Sequence, residues 1–339
     1  MKKLRTQEGF SAPSSAPADV ESCGRAPEYQ ARPLLRTATV AAWDVQCPGL
    51  CRVKADEEMV QATRLVFPYR GVFVSWVGAK SHVADSNQML VLNADEPYQV
   101  SHPVAGGDAT LAVAVDPATW LEVVPSEDRL PRERPALNRS IMQIDARTQA
   151  LAARLRQRLS RGSVGYLESE ALALQLARHA LTGSPVHPAG ARVRQRQRMA
   201  ERVKLLLSAD PWRRWTLADI SREVNVTPVY LTDAFRKAEG IPLYRYHLRL
   251  RLAIALTVVA ESDDLAALAV DLGFYSHSHF SSAFKKTFGC SPSDFKKSVT
   301  GLRNHVATEY HMMSEDLDSA AASVSHSVAM PGLPAKDVA

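Results

Sequence analysis

The sequence predicts an α+β chain: an N-terminal antiparallel β-barrel with a following helical pair, then an all-α C-terminal domain with two helix-turn-helix motifs joined by a long linker helix. Three observations predict it. Short β-prone apolar runs bounded by turn residues fill residues 61–124, helical periodicity takes over from about Ile141, and one helical fragment occurs twice near the C-terminus, 49 residues apart.

At 339 residues the chain is long enough for two hydrophobic cores. Residues 1–35, rich in Ser, Ala and Pro without apolar periodicity, are expected to be disordered, and so is the tail 300–339. The barrel is placed at 36–140, the helical pair at 141–182, a linker at 183–191 and the all-α domain at 192–299. The barrel strands are read from TRLVFPY, GVFVSWVG, QMLVLNADEPYQVSHP and GGDATLAVAVDP, with NADEP and PVAGGD as turns. Next, IDARTQALAARLRQRLSRG sets Leu151, Leu155 and Leu159 four residues apart, and YLESEALALQLARHALTG repeats the pattern with Leu172, Leu176 and Ala180. These stripes could form a dimer seam, or pack on the barrel or on each other. The segment TGSPVHPAG cannot continue a helix and marks the linker.

The repeated fragment reads TPVYLTDAFRKAEG from Thr227 and SHSHFSSAFKKTFG from Ser276. Each copy opens on a hydroxyl residue suited to an N-cap and carries an apolar i, i+4 pair: Leu231 with Phe235, Phe280 with Phe284. A basic pair and a helix-ending glycine follow. A shorter amphipathic segment precedes each, LADISREV from Leu217 and LAALAVDLG from Leu265. The expected elements are a scaffold helix starting about Val203, support helices over 217–224 and 264–272, second helices over 227–238 and 276–287, and a linker helix over 242–259.

Charge is concentrated on the duplicated segment. Of the formal +5, residues 192–299 hold +7 (eighteen Lys/Arg against eleven Asp/Glu), residues 1–191 hold +1 and the tail from Thr300 holds −3. A basic domain beside a near-neutral one suits phosphate-backbone binding, because each neutralised phosphate releases counterions. No stretch approaches eighteen apolar residues and no apolar h-region follows the N-terminal lysines, so neither a membrane span nor a secretory signal is read and a cytoplasmic location is expected. Four cysteines, Cys23, Cys47, Cys51 and Cys290, suit reduced thiols better than a disulfide framework. The CxxxC pair Cys47 and Cys51 reads as two ordinary thiols before it reads as a redox switch or half a metal site.

The segment LAALAVDLGFYSHSHFSSAFKKTFGCSPSDFKK, residues 265–297, follows an LA-x-x-VGF start, an S-x-x-x-F helix, an F-K-K-x-F-G stop and an S-P-S-x-aromatic close. With the looser LADISREVNVTPVYLTDAFRKAEGIPLYRY before it, the region from about Arg194 to Val299 resembles the DNA-binding domain of AraC/XylS-type transcription regulators. That resemblance implies a regulator of transcription bound to double-stranded DNA, an activator reading promoters with RNA polymerase as partner, with a homodimer as one alternative. Two second helices held by a rigid linker would enter successive major-groove segments about 34 Å apart. Helix geometry makes Pro228, Val229, Thr232, Asp233 and Arg236 the base-reading candidates of the first copy, and His277, Ser278, Ser281 and Ser282 those of the second. Arg245, Arg249, Lys285, Lys286, Lys296 and Lys297 are the phosphate candidates. Members of the family often carry arginine where this chain has Asp233 and Ser282, so an arginine-to-guanine contact is missing from both helices.

The N-terminal half resembles the cupin-like effector domain found upstream of such DNA-binding domains. A catalytic cupin needs histidines and a carboxylate clustered on adjacent strands. Here His82 and His102 stand twenty residues apart without an HxH partner or a Glu at the expected spacing, so a barrel without metal or other cofactor and without catalytic residues is expected. Its interior would receive a small-molecule effector or pack on itself, with Phe73, Trp76, His82, Tyr98 and His102 as lining candidates. The alternatives are a metal-dependent cupin enzyme fused to a DNA-binding module and a regulator controlled by abundance alone.

Overall fold

A computed structural model describes residues 29–181 and 191–300. Its N-terminal part is built from nine strands: β1 (Gln30–Arg36), β2 (Val40–Cys47), β3 (Arg64–Gly71), β4 (Phe73–Val77), β5 (Lys80–Ala84), β6 (Gln88–Leu92), β7 (Gln99–Ser101), β8 (Asp108–Val115) and β9 (Ile141–Gln143). Six form an antiparallel sheet in the order β1-β2-β8-β3-β6-β9, and three form a smaller one in the order β5-β4-β7. The period of two divides the larger sheet into two apolar faces, which is why β8 (DATLAVAV) is buried at every position. Leu65, Phe67, Met89, Val91, Leu111 and Val113 point to one face, and Val66, Leu90 and Ala112 to the other, where they meet Phe73 of the small sheet.

Helices cover the first face. Helix α1 (Pro117–Val123) begins with proline, is capped by Asp116 and buries Trp120. Helix α2 (Ala146–Ser160), capped by Asp145, and α3 (Tyr166–Leu181) bring Leu155, Leu159, Leu176 and Ala180 into the same core. The leucine stripes therefore pack on the sheet, within the chain. β1 begins before residue 36, and β1 and β2 both run through a stretch in which no strand was expected. β1 is largely exposed and bulged between Pro33 and Leu35, while β2 carries Asp44 and Gln46 between its apolar residues, so neither shows a clean apolar run.

The C-terminal part is all helical: α4 (Ala191–Ala209), α5 (Leu217–Glu223), α6 (Pro228–Glu239), α7 (Leu243–Val258), α8 (Leu265–Asp271), α9 (His277–Phe288) and α10 (Pro292–Thr300). It has two small cores. The first gathers Val203, Leu207, Ile220, Leu231 and Phe235 against Tyr246 and Leu250 of α7. The second gathers Leu252, Leu256, Phe280, Phe284 and Phe295, joined by Ala153 of α2. Thus α7 serves both cores, one from each half of its length, and α2 lies between sheet and helices. α4 starts twelve residues ahead of the expected Val203, and α10 was not foreseen as a helix. The expected linker 183–191 and the tails lie outside the described residues, apart from 29–35, 191 and 300.

Candidate nucleic-acid interface and effector cavity

The two repeated fragments form the same device. Thr227 Oγ1 accepts the Tyr230 N–H at 3.3 Å and Ser276 Oγ accepts the His279 N–H at 3.1 Å. Gly240 (φ 69°) and Gly289 (φ 81°) end the helices in the left-handed region. Leu231, Phe235, Phe280 and Phe284 are all fully buried, which fixes the rotation of α6 and α9 and turns their opposite faces outward. The supports are capped as well: Thr216 and Asp219 form a capping box on α5, and Asp264 caps α8.

On the outward faces, Pro228, Val229, Thr232, Asp233, Arg236, His277, Ser278 and Ser282 are exposed, and Ser281 is half-buried with its Oγ 3.3 Å from His277 Nε2. Two of these groups are already engaged within α6. Thr232 Oγ1 donates to the Pro228 carbonyl at 2.6 Å, and Asp233 pairs with Lys237 at 2.7 Å. Arg236 is the exposed cation of α6 without such a carboxylate neighbour among the described residues. In α9 the polar groups carry no negative charge, so the two faces present unequal chemistry.

The six phosphate candidates divide. Arg245, Lys285, Lys286 and Lys297 are exposed. Lys296 is half-buried; its Nζ donates to the Ser262 carbonyl at 2.7 Å and lies 3.6 Å from Asp263. Arg249 departs most from expectation: it donates to the Ile144 carbonyl of the N-terminal domain, and burial lowers its guanidinium pKa. Arg245 and Arg249 are i, i+4 neighbours, but α7 is buried on most sides and Arg249 falls on the side facing the sheet. Two exposed arginines were passed over. In the WRRW stretch, Arg213 stacks on Trp215 at 3.9 Å and Arg214 on Tyr275 at 4.1 Å, the residue preceding the α9 cap.

Between the two sheets lies a cavity of about 530 Å³. Of the lining candidates, Phe73, Tyr98 and His102 lie on its wall and Trp76 and His82 do not. The pleat of β4 turns Phe73 and Ser75 inward and Trp76 away, where its Nε1 donates to Ser101 Oγ and Lys54 stacks on the ring at 4.2 Å. His82, on an edge strand, faces a second depression shared with Arg194 and Glu201 of α4. Arg64 also lines the cavity: its guanidinium lies 4.7 Å over Trp43, and its Nε is buried without a hydrogen-bond partner. Opposite, Tyr98 donates to Glu58 at 2.7 Å; burial raises the pKa of both groups, and the carboxylate raises the phenol's further.

At one end of the cavity stand Cys47, His102 and Asp108, one possible ligand atom from each lying within 4.8 Å of the others. A barrel without a metal cluster was expected, and this grouping was missed because it is made by strand pairing: Cys47 and Asp108 are direct partners between β2 and β8. His102 returns over them through the PVAGGD turn, with its ring nitrogen 2.6 Å from Asp108. Burial opposes a charge on the ring, yet the Asp108 contact and the nearby Cys47 outweigh it and push the His102 pKa up to about 9.

Residues 220–298 match the family model of a helix-turn-helix domain. Over 104 residues the chain is 30% identical to the uncharacterized HTH-type transcriptional regulator YidL of Escherichia coli K12, covering 30% of this chain and 35% of that one. Over 95 residues it is 34% identical to an AraC-like transcription regulator of Streptomyces lividans, covering 28% and 31%. ToxT of Vibrio cholerae, solved with an unsaturated fatty acid bound, aligns with 79% of this chain and 99% of its own at 12% identity and a TM-score of 0.30. The chain spans about a third of the length of the curated relatives it matches. No helix among the described residues is long and apolar enough to cross a membrane. Two capped helices with buried aromatic stripes and outward polar faces lie on the segment where these matches fall, so residues 220–298 form a helix-turn-helix domain similar to those of AraC-like transcription regulators.

Proposed function

We propose that the protein is a sequence-specific transcription activator whose cavity takes up a small effector and whose helices α6 and α9 read two successive major-groove segments. The observation that carries this reading is the matched pair of capped helices, each with its apolar side buried and its polar side free, held on one continuous helix, α7. A rigid joint of this kind fixes a separation, and a fixed separation is what two grooves on one face of DNA require. His277, Ser278, Ser282 and Arg236 serve as the principal base readers, and Lys285, Lys286, Lys297 and Arg245 neutralise phosphates. Asp233, engaged with Lys237, repels phosphate and restricts which bases α6 tolerates. The working partners are double-stranded DNA, RNA polymerase at the activated promoter and a second copy of the chain on paired half-sites.

The effector class follows from the cavity wall. A largely apolar enclosure in which the Arg64 Nε is buried without a hydrogen-bond partner suits a small organic anion with an apolar body. Genome-wide occupancy of the tagged protein tests the DNA reading. A restricted set of sites sharing a bipartite motif is expected, and occupancy that merely follows DNA accessibility would reject it. A thermal-shift screen of small acids against the wild type and Arg64→Met tests the effector reading; stabilisation equal in both proteins would reject an anion held by Arg64.

A further inference from the structure

We propose that Cys47, His102 and Asp108 form a binding site for one divalent transition-metal ion, zinc by the chemistry of the donors, with a remaining coordination position open to the cavity. The three ligand atoms lie within 4.8 Å of one another, close enough for small side-chain rotations to bring them round a single ion bound at about 2.0–2.3 Å. A sulfur, an imidazole nitrogen and a carboxylate oxygen make a borderline-soft set that suits zinc and excludes magnesium and calcium. A thiolate and a carboxylate neutralise the charge of the ion, so the bound site adds no net charge to a mostly buried position.

Three features of the chain support a built site. Cys47 and Asp108 are cross-strand partners and both line the cavity, so the sheet itself sets their separation. His102 is 1% exposed, its backbone N–H donates to the Cys51 carbonyl at 2.7 Å, and its Nδ1 is buried with no hydrogen-bond partner. That nitrogen belongs to a ring already held beside both Asp108 and Cys47, so a ligand there would be shared with them. The backbones that carry the ligands are also pressed together: a Cβ on Gly107 (φ +66°) would lie 2.1 Å from the Cys47 carbonyl oxygen, and one on Gly49 (φ +71°) 2.5 Å from Gly107 Cα. Only glycine lets the His102–Asp108 turn lie against the end of β2. With three protein ligands the fourth position is left to water or to a cavity occupant, the arrangement of open rather than purely structural zinc sites.

The test uses the untagged full-length protein, stripped with chelator under reducing conditions and titrated with cobalt(II). One cobalt per chain is expected, with a near-ultraviolet thiolate-to-cobalt charge-transfer band that zinc abolishes stoichiometrically. Cys47→Ser should lose the band and Cys51→Ser should keep it, both with unchanged far-ultraviolet circular dichroism; Asp108→Asn should weaken affinity at least tenfold. Failure of the wild type to bind stoichiometric cobalt, or a band that survives Cys47→Ser, would overturn the site. Because the readout is spectroscopic and needs no DNA, its result stands apart from the regulator reading.

Discussion

The Tyr246 hydroxyl donates a 2.6 Å hydrogen bond to Oδ2 of Asp85, and both residues are fully enclosed. The bond joins α7 to the turn before β6. Gln88, at the start of β6, extends the link: its Nε2 lies 3.2 Å from the Tyr246 hydroxyl and 3.4 Å from Glu239 Oε2. Helix α6 ends on Glu239, which also accepts from Gln143 at 2.9 Å. Further along β6, Leu90 and Leu92 line the cavity. One short strand thus touches both the cavity and the supports of α6.

Removing the hydroxyl in Tyr246→Phe takes the donor from a buried carboxylate while leaving the ring in its edge contact with Phe235 at 5.2 Å. A stability loss of about 1–3 kcal/mol is expected. Urea denaturation of the full chain measures it, and an unchanged midpoint at constant slope would show that this bond contributes nothing.

Glu239 also lies 3.6 Å from Lys204, and both side chains are buried. Glu239→Ala strands an ammonium group away from water and should cost about 3–5 kcal/mol. Glu239→Gln keeps an acceptor for the neighbouring amides and should cost less. Equal losses in the two variants would assign the effect to packing rather than charge.

The C-terminal elements were legible because they repeat and because caps, stripes and stops recur at fixed offsets; Thr227, Ser276, Gly240 and Gly289 act as their positions announced. What escaped was whatever depends on pairing across the chain. Cys47 meets Asp108 only because β2 lies beside β8, and no local pattern records that neighbour. Arg249 looked free because periodicity shows which residues share a face, not which faces a second domain covers. Trp76 and His82 were chosen by residue type on strands whose inward phase the sequence left undecided.

Lys286 and Lys296 should separate two roles. Exposed Lys286 lies at the end of α9 without a carboxylate partner among the described residues, so Lys286→Ala should weaken DNA binding about equally on all sequences and lower the salt slope by roughly one unit. Lys296 is bound to the Ser262 carbonyl, so Lys296→Ala should act first on thermal stability. Gel-shift titrations over a salt series read the slope; identical slopes for wild type and Lys286→Ala would place this side of α9 away from the backbone.

His277 stands at the first turn of α9, exposed, with its Nε2 near Ser281. His277→Ala should change preference at a few base pairs by roughly 1–3 kcal/mol and leave the salt slope unaltered. Binding-site selection on a randomised operator is the measurement. A selected motif identical to the wild type's would mean that the ring touches no base.

His247 gives the helical domain a pH dependence. Burial disfavours its charged form and, with the Arg251 charge, lowers its pKa to about 4, although the ring's hydrogen bond to the Pro211 carbonyl at 2.9 Å opposes this. In the unfolded chain the ring titrates near its ordinary value of about 6.5. Between these values the unfolded state holds a proton that the native state does not, so stability is present above about pH 6.5 and is lost as pH falls toward 4. The loss from this one ring is about 2 kcal/mol between pH 7 and pH 5. Gln at this position can still donate to the Pro211 carbonyl but cannot take up a proton. His247→Gln should therefore flatten the pH dependence by that amount while the carboxylates titrate as before. Chemical denaturation of both proteins at pH 7 and pH 5 makes the comparison, and equal pH dependence in the two would show that the buried ring does not resist protonation.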